Sequence, residues 1–197
     1  MQRIIATCQQ WPLLTGTACA AAKGALADVT AQELSGAAEY RPGRTAAFAV
    51  WSALYCGVGV YSLYSVLLPR IWPTTGVVPS LVRRHVAFSV LFDNLLATPF
   101  LCMPTYYLCR IGLASSSEER RRPGAIAAAA LRVYAAEARD VLRLSWSLWF
   151  PIHCLTFTVV PIKLRTHFVA LCSFVTLMCM SCLQGRLETR REDPRAQ

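Results

Sequence analysis

The segment that most restricts how this chain can fold is residues 146–165, which read WSLWFPIHCLTFTVVPIKLR. The segment is strongly apolar and aromatic, yet Pro151 and Pro161 interrupt it. An internal proline removes a helix hydrogen bond and clashes with the preceding turn, so a soluble core helix rarely carries two. A membrane bundle tolerates the same pattern, because neighbouring helices and hydroxyl side chains satisfy the freed carbonyl groups. The segment therefore favours a membrane protein.

The composition favours the same class of protein. Of the 197 residues, 55% are hydrophobic and 16% are charged, and the mean hydropathy is +0.40. Soluble domains carry more charge, roughly 25% of their residues. The apolar residues fall in blocks, and the length accommodates about four membrane helices of roughly twenty residues each. We therefore expect an all-α integral membrane helix bundle that forms one domain over residues 1–197.

The apolar blocks and their breaks place the expected elements. Four transmembrane helices are expected at residues 11–36, 45–69, 85–109 and 166–184. Residues 110–123 are expected to form an arginine-rich loop, and residues 125–145 an interfacial amphipathic helix. Residues 146–184 are too long for one straight span, and the sequence leaves open one kinked helix or two segments. The charged tail, residues 185–197, is expected to fray.

The net charge of +9 comes from 20 basic and 11 acidic residues. The basic residues lie between the apolar blocks and form no stripe with interleaved aromatics, so we expect no nucleic-acid partner. Their placement suits contact with anionic lipid headgroups, and membrane lipids are the expected partners. Both sets of loops hold similar numbers of arginines, so the sequence does not set the membrane orientation. A homo-oligomer is left open.

Several polar residues stand inside apolar blocks. A carboxylate such as Asp93 costs about 2.5–3.5 kcal/mol in a membrane helix, so it lines a solvated interior or pairs with a base. Asp28 and Gln32 share one helix face, which either turns inward or ends in water. His153 could titrate near neutral pH, or simply hydrogen-bond a neighbour. Arg165 could snorkel to the headgroups or neutralise Asp93.

Nine cysteines lie mostly inside apolar blocks, where free cysteine behaves as a small hydrophobe. The pair Cys179 and Cys182 lacks the strand and helix context of a redox motif. No histidine and cysteine set has zinc spacing, and we expect no cofactor. The sequence contains no GxSxG, HExxH or P-loop pattern, so no enzymatic activity is expected.

The proline-broken segment resembles the C-terminal signature of the family named for Mpv-seventeen and the twenty-two-kDa peroxisomal membrane protein. That signature reads, roughly, W-P-P-x-Q-x-x-N-F-x-x-V-P-x-x-x-R. The positions that fall in register without a gap are Trp149, Pro151, Phe157, Val160, Pro161 and Arg165. Phe150 replaces the first proline, His153 the glutamine and Thr156 the asparagine.

The resemblance extends over roughly residues 11–184. Asp28 and Gln32 match the family pattern G-D-x-x-x-Q, although Ala27 replaces the glycine. Arg44-Thr45 match R-T at the start of the second block, and Ser181 matches in the last span. Asp93 and Asn94 stand where the family has D-Q, and Pro99 follows as its proline does.

The resemblance implies a multispanning organelle protein with channel-like or metabolite-permeability activity, in the mitochondrial inner membrane or, alternatively, the peroxisomal membrane. Ions or small metabolites would be the solutes. The residues expected to line the interior are Asp28, Gln32, Asp93, Asn94, His153, Thr156 and Arg165. Kinks are expected at Pro99, Pro151 and Pro161, with hydroxyls such as that of Thr156 satisfying freed carbonyls.

A non-transporting structural or stress-response protein, acting through helix packing and partner binding, is the alternative. The two functions differ in one structural expectation. A pore needs Asp28 and Asp93 to line one cavity, whereas a scaffold buries them in closed pairs.

Overall fold

The computed structural model describes residues 10–35, 39–73, 76, 78–160 and 165–192. These residues are helices and their connections, and no strand occurs among them, which confirms the all-α prediction. The helical elements are α1 (Pro12–Leu34), α2 (Pro42–Trp51), α3 (Leu68–Ile71), α4 (Pro79–Phe92), α5 (Met103–Ala114), α6 (Pro123–Thr158) and α7 (Arg165–Glu192).

Wider π-type turns connect α2 to α3, at Ser52–Gly59 and Ser62–Leu67, so the second block is one continuous helical rod. Helix α1 packs along this rod at very close range. A Cβ added at Gly57 would lie 2.8 Å from the Cα of Thr17. Small residues allow such close backbone approach between helices in a membrane bundle.

The third rod runs from α4 through a π-helical segment, Asp93–Cys102, into α5. A π-type helix pairs each N–H with the carbonyl five residues earlier, and Pro99 has no N–H to give to Asn94. Trp146 of α6 donates its indole N–H to that carbonyl instead, at 2.8 Å. Pro104 likewise has no N–H to give to the carbonyl of Pro99, five residues earlier. Tyr134 of α6 donates its hydroxyl to that carbonyl at 2.8 Å. The two carbonyls that the prolines leave without a backbone partner thus accept hydrogen bonds from α6, which join the third rod to that helix.

Helix α6 has 36 residues, so it is about 54 Å long. The helix predicted at residues 125–145 is confirmed, but it is not a separate element, because these residues form the first part of α6. The charged face that suggested an interfacial position turns partly inward, and Glu137 is only 4% exposed. The last apolar stretch is two segments, since α6 ends at Thr158 and α7 begins at Arg165.

Two other boundaries differ from the sequence prediction. Arg110 belongs to α5, so the loop after it is shorter than expected and begins at Ser115. In that loop the backbone N–H of Ser116 donates to the Glu119 carboxylate at 2.7 Å, which lowers the pKa of Glu119. Helix α7 extends through the expected frayed tail to Glu192.

Two helical stretches are long and apolar enough to cross a membrane, Pro79–Ala114 and Phe168–Arg191. Only 33% and 28% of their most apolar windows are buried, so most of this apolar surface faces outward. Phe100 and Leu171, for example, are 70% and 65% exposed. Lipid would cover such surfaces. Four spans are not confirmed, since the described residues contain two stretches of this kind.

Candidate functional site

The interior polar residues form two groups at different heights along the bundle. Along α1 and α7, Lys23 and Ser173 of one group precede Asp28 and Ser181 of the other. The group here called the ion-pair end comprises Asp28, Gln32, Arg41, Arg44, Thr45, Tyr107, Arg110, Glu137, Ser181, Gln184, Glu188 and Arg191. The second group lines a cavity.

Asp28 is the most enclosed carboxylate of the ion-pair end, with no exposed surface. Its Oδ1 accepts from Arg44 Nε at 2.9 Å and from Ser181 Oγ at 2.5 Å. Its Oδ2 accepts from Thr45 Oγ1 at 2.6 Å and from Gln32 Nε2 at 2.7 Å. Each oxygen therefore has two donors, which is the satisfaction a buried ion pair requires. Asp28 belongs to a closed pair.

The local sequence brings Arg44 to this position. Pro42 opens α2 because its fixed φ suits the first helical position, where no N–H is needed. Arg44 and Thr45 then lie in the first turn of α2, opposite the end of α1. The Gln32 Oε1 accepts from the backbone N–H of Arg41 at 2.7 Å, which fixes the connection between the helices.

A second part of the ion-pair end centres on Glu137 of α6. Tyr107 donates its hydroxyl to Glu137 Oε2 and accepts from Gln184 Nε2 at 3.0 Å. Arg191 Nη2 lies 2.7 Å from Glu137 Oε1. Arg110 Nη1 donates to Gln184 Oε1 at 2.9 Å and lies 3.8 Å from Glu137 Oε2. These contacts join α5, α6 and α7.

Glu188 of α7 connects the two parts. Its Oε1 lies 3.0 Å from Arg110 Nη2, and its Oε2 lies 3.2 Å from Arg41 Nη1 and 3.9 Å from Arg44 Nη1. The three carboxylates of the ion-pair end thus all have guanidinium partners on other helices. This end of the bundle is a closed set of charges.

The cavity occupies the other half of the bundle and has a volume of about 470 Å³. Its titratable lining residues are Lys23, Asp93 and His153, and aromatic walls come from Trp51, Tyr55 and Trp149. Lys23 Nζ donates to Ser173 Oγ of α7 at 2.7 Å. The further hydroxyl-bearing lining residues are Thr98, Ser145, Thr156 and Thr176. The cavity therefore contains a basic side chain, Lys23, and an acidic one, Asp93, within a mainly apolar wall.

Asn94 lies beside the cavity and is 1% exposed. Its Nδ2 donates to the Val90 carbonyl at 2.9 Å and lies 3.2 Å from His153 Nδ1, while the His153 ring lies against Trp149 with centroids 5.2 Å apart. His153 therefore contacts the π-helical segment of the third rod and Trp149 of its own helix, and it also faces the cavity.

The structure separates residues that the sequence grouped together. Asp93, His153 and Thr156 line the cavity, whereas Asp28 and Gln32 belong to the ion-pair end. The Thr156 hydroxyl donates to the Ile152 carbonyl at 2.7 Å.

The three prolines predicted to kink the chain lie in different surroundings. Pro99 lies inside the π-helical segment, and Pro151 lies within α6, which continues through it. Pro161 and Lys163 fall outside the described residues, as does the side chain of Arg165.

Sequence reasoning missed the roles of Lys23 and Glu137. In the sequence Lys23 is one of several charged residues in the first block, and its spacing does not indicate a place in a cavity. Glu137 belonged to an alternating charged pattern that also fits an exposed helix face. Its partners Arg110 and Arg191 lie on other helices, so no local spacing indicates the contact.

The cavity has room for a small solute and polar groups to contact it. Among the described residues no group of three histidine, cysteine or acidic side chains could hold a metal ion. No disulfide joins any two of the eight cysteines in that part of the chain. The cavity nevertheless places Lys23, Asp93 and several hydroxyls around one space.

A comparison with protein families gives one match. The model of the Mpv17 / PMP22 family matches residues 129–181, a little over a quarter of the chain, so the chain is similar to that family over this segment. The match includes the proline-broken signature. No curated protein and no solved structure matches the chain. The two apolar helical stretches are compatible with a membrane protein.

Proposed function

Since the chain matches the Mpv17 / PMP22 family, we propose that it provides a channel-like or metabolite-permeability function in an organelle membrane and so supports organelle homeostasis. The mitochondrial inner membrane is the proposed site, and the peroxisomal membrane is the alternative. Fractionation of organelles from cells that express a tagged chain decides between the two membranes.

The observation that carries this proposal is the cavity. Its volume of about 470 Å³ lies within the range of about 300–1,000 Å³ usual for small-molecule sites. Lys23, Asp93 and His153 give it ionisable groups, and Asp93 lies in the candidate membrane span Pro79–Ala114. Ionisable groups at membrane depth usually mark a solute pathway. The cavity walls come from helices on all sides of the bundle, as a transmembrane path would require.

The proposed role is not enzymatic. The polar groups of the cavity are hydroxyls, the thiols of Cys56 and Cys102, one amine, one carboxylate and one imidazole, spread over separate helices. A path for small ions or metabolites needs such groups to replace hydration, without a nucleophile and a positioned base.

Reconstitution in a planar bilayer tests the proposal. Purified chain should give discrete conductances, and ion substitution should reveal its selectivity. Cys56 lines the cavity, whereas Cys109 does not. In a chain that retains only Cys56, a bulky charged thiol reagent should reduce the conductance. The matched chain that retains only Cys109 should be labelled without a change in conductance.

Two results would contradict the proposal. Purified chain that gives no conductance or solute flux across a range of ions and small metabolites would exclude a permeability role. Equal block through Cys56 and Cys109 would show that the reagent acts on folding and not on a path through the cavity.

The alternative is a non-transporting structural protein, and the ion-pair end is the observation that favours it. Asp28 is buried in a closed pair and does not line the cavity, which is the arrangement expected of a scaffold. This alternative predicts normal folding and partner binding without conductance. Capture of partner proteins by a tagged chain that shows no conductance would support it.

A further inference from the structure

The outer surface between α6 and α7 carries a groove that the proposed permeability role does not use. The charged lining residues are Asp140 and Arg143 of α6 and Arg186 and Arg190 of α7, and the two α7 arginines follow the apolar lining residues of that helix. All three arginines are exposed. The groove is also lined by apolar side chains of α7 that precede Arg186, including Val175, Met178 and Leu183.

The three groove arginines differ from those of the ion-pair end. Arg41, Arg44, Arg110 and Arg191 all have carboxylate partners within 4.0 Å. Within the described part of the chain, no such ion pair involves a groove arginine. One carboxylate, that of Asp140, lines the groove against three guanidinium groups, so the groove has an excess of positive charge.

The apolar part of the groove extends from this charge toward the middle of a candidate membrane span. Arg186 and Val175 both lie in the apolar stretch Phe168–Arg191. The eleven residue steps from Val175 to Arg186 rise about 16 Å along a helix. This length is close to half of the hydrocarbon core, which is about 30 Å thick. The arginines would thus lie at headgroup level when Val175 lies near the membrane centre.

We propose that this groove binds an anionic phospholipid, with the phosphate on Arg143, Arg186 and Arg190 and an acyl chain along Val175, Met178 and Leu183. Guanidinium groups recognise phosphate through paired, charge-assisted hydrogen bonds. Basic pockets between membrane helices are suited to anionic headgroups. Charge complementarity selects an anionic lipid over a zwitterionic one, and the apolar strip selects a lipid over free phosphate.

The test is native mass spectrometry of the purified full-length chain, titrated in detergent with phosphatidylglycerol or with phosphatidylcholine. The wild type should retain phosphatidylglycerol preferentially. The variant Arg143→Gln/Arg186→Gln/Arg190→Gln should bind it about tenfold to a hundredfold more weakly, since each surface arginine contributes about fivefold. The matched control, Arg83→Gln/Arg84→Gln/Arg121→Gln, removes the same charge from exposed positions elsewhere and should bind as the wild type does.

A variant that should bind more tightly distinguishes a change at the groove from a loss of folding, since an unfolded protein would not gain affinity. Asp140→Asn removes the carboxylate of the groove and should tighten phosphatidylglycerol binding severalfold. Met178→Ser should weaken binding of the lipid and leave any binding of inorganic phosphate unchanged.

Several results would overturn the proposal. Equal losses in the groove and control variants would show only a general charge effect. Equal retention of the two lipids would exclude recognition of the anionic headgroup. Displacement of the lipid by millimolar inorganic phosphate, with Met178→Ser behaving as the wild type, would identify a phosphate site and not a lipid site.

Discussion

The ion-pair end and the cavity use the same kinds of side chain for different purposes. At the ion-pair end Asp28 has four donors and its partner Arg44 has only 8% of its side chain exposed. In the cavity Asp93 and Lys23 face a space of about 470 Å³. Polar residues inside an apolar block therefore do not indicate one function. What surrounds the carboxylate decides whether it is enclosed among donors from other helices or lines a cavity.

The comparison also divides the positions that resemble the family. Asp28, Arg44 and Ser181 meet at the ion-pair end, although Ser181 lies 153 residues from Asp28 in the chain. Asp93 and His153 face the cavity. If the two halves have different roles, changes at the ion-pair end should affect stability, and changes in the cavity should affect solute passage.

The largest expected effect is the loss of Asp28. Asp28→Ala leaves Arg44 buried without its carboxylate, which should destabilise the fold by about 3–5 kcal/mol. Thermal unfolding in detergent and abundance in the membrane measure the effect. Glu33→Ala removes an exposed carboxylate from the same helix and should have little effect. Similar behaviour of the two variants would show that Asp28 is not structural.

A smaller loss is expected where α1 crosses the second rod. A Cβ at Gly24 would lie 2.7 Å from the Phe48 carbonyl oxygen and 2.2 Å from Ser52 Oγ. Gly24→Ala should therefore destabilise the protein by about 1–3 kcal/mol through overpacking.

Gly16 provides the matched control for this crossing, because an added Cβ would meet nothing within 4 Å. Gly16→Ala should be neutral or stabilise the helix by up to about 1 kcal/mol. Equal unfolding temperatures for Gly16→Ala and Gly24→Ala would contradict the close approach of the two helices.

Removal of a single hydroxyl tests how α6 holds the third rod. Tyr134→Phe deletes the donor to the Pro99 carbonyl and should cost about 0.5–1.5 kcal/mol. Tyr61→Phe is the control, since Tyr61 is 41% exposed. A thermal shift no larger than that of Tyr61→Phe would show that the freed carbonyl does not need this donor.

Cysteine labelling at exposed positions tests whether the rod from α4 to α5 crosses the membrane. Ser80 and Ser116 are exposed and flank the rod from α4 to α5. In a chain without its native cysteines, Ser80→Cys and Ser116→Cys should be labelled by an impermeant thiol reagent from opposite sides. Labelling of both from the same side would exclude a single crossing by Pro79–Ala114.

Much of the architecture could be predicted from the sequence because it depends on local patterns. Apolar blocks separated by prolines and charges predicted an all-helical bundle, and the break at Pro42 predicted the boundary between α1 and α2. The spacing of Asp28 and Gln32 predicted one shared face, and their side chains lie 2.7 Å apart.

The remaining features depend on contacts between distant parts of the chain. The pattern at residues 125–145 is amphipathic whether its charges meet water or other helices. Only the partners Arg110 and Arg191 turn Glu137 inward. The apparent tail continues as helix because Glu188 pairs with arginines from α2 and α5. Local periodicity contains no information about either set of partners.

Conductance of Asp93→Asn, recorded in planar bilayers beside membrane abundance, decides whether the cavity is a solute path distinct from the structural end. The substitution removes the charge and keeps the side-chain shape. We expect reduced cation preference at an abundance close to that of the wild type. Loss of the protein would show that Asp93 belongs to a structural ion pair as Asp28 does. Wild-type conductance and selectivity at wild-type abundance would contradict a role for Asp93 in solute passage.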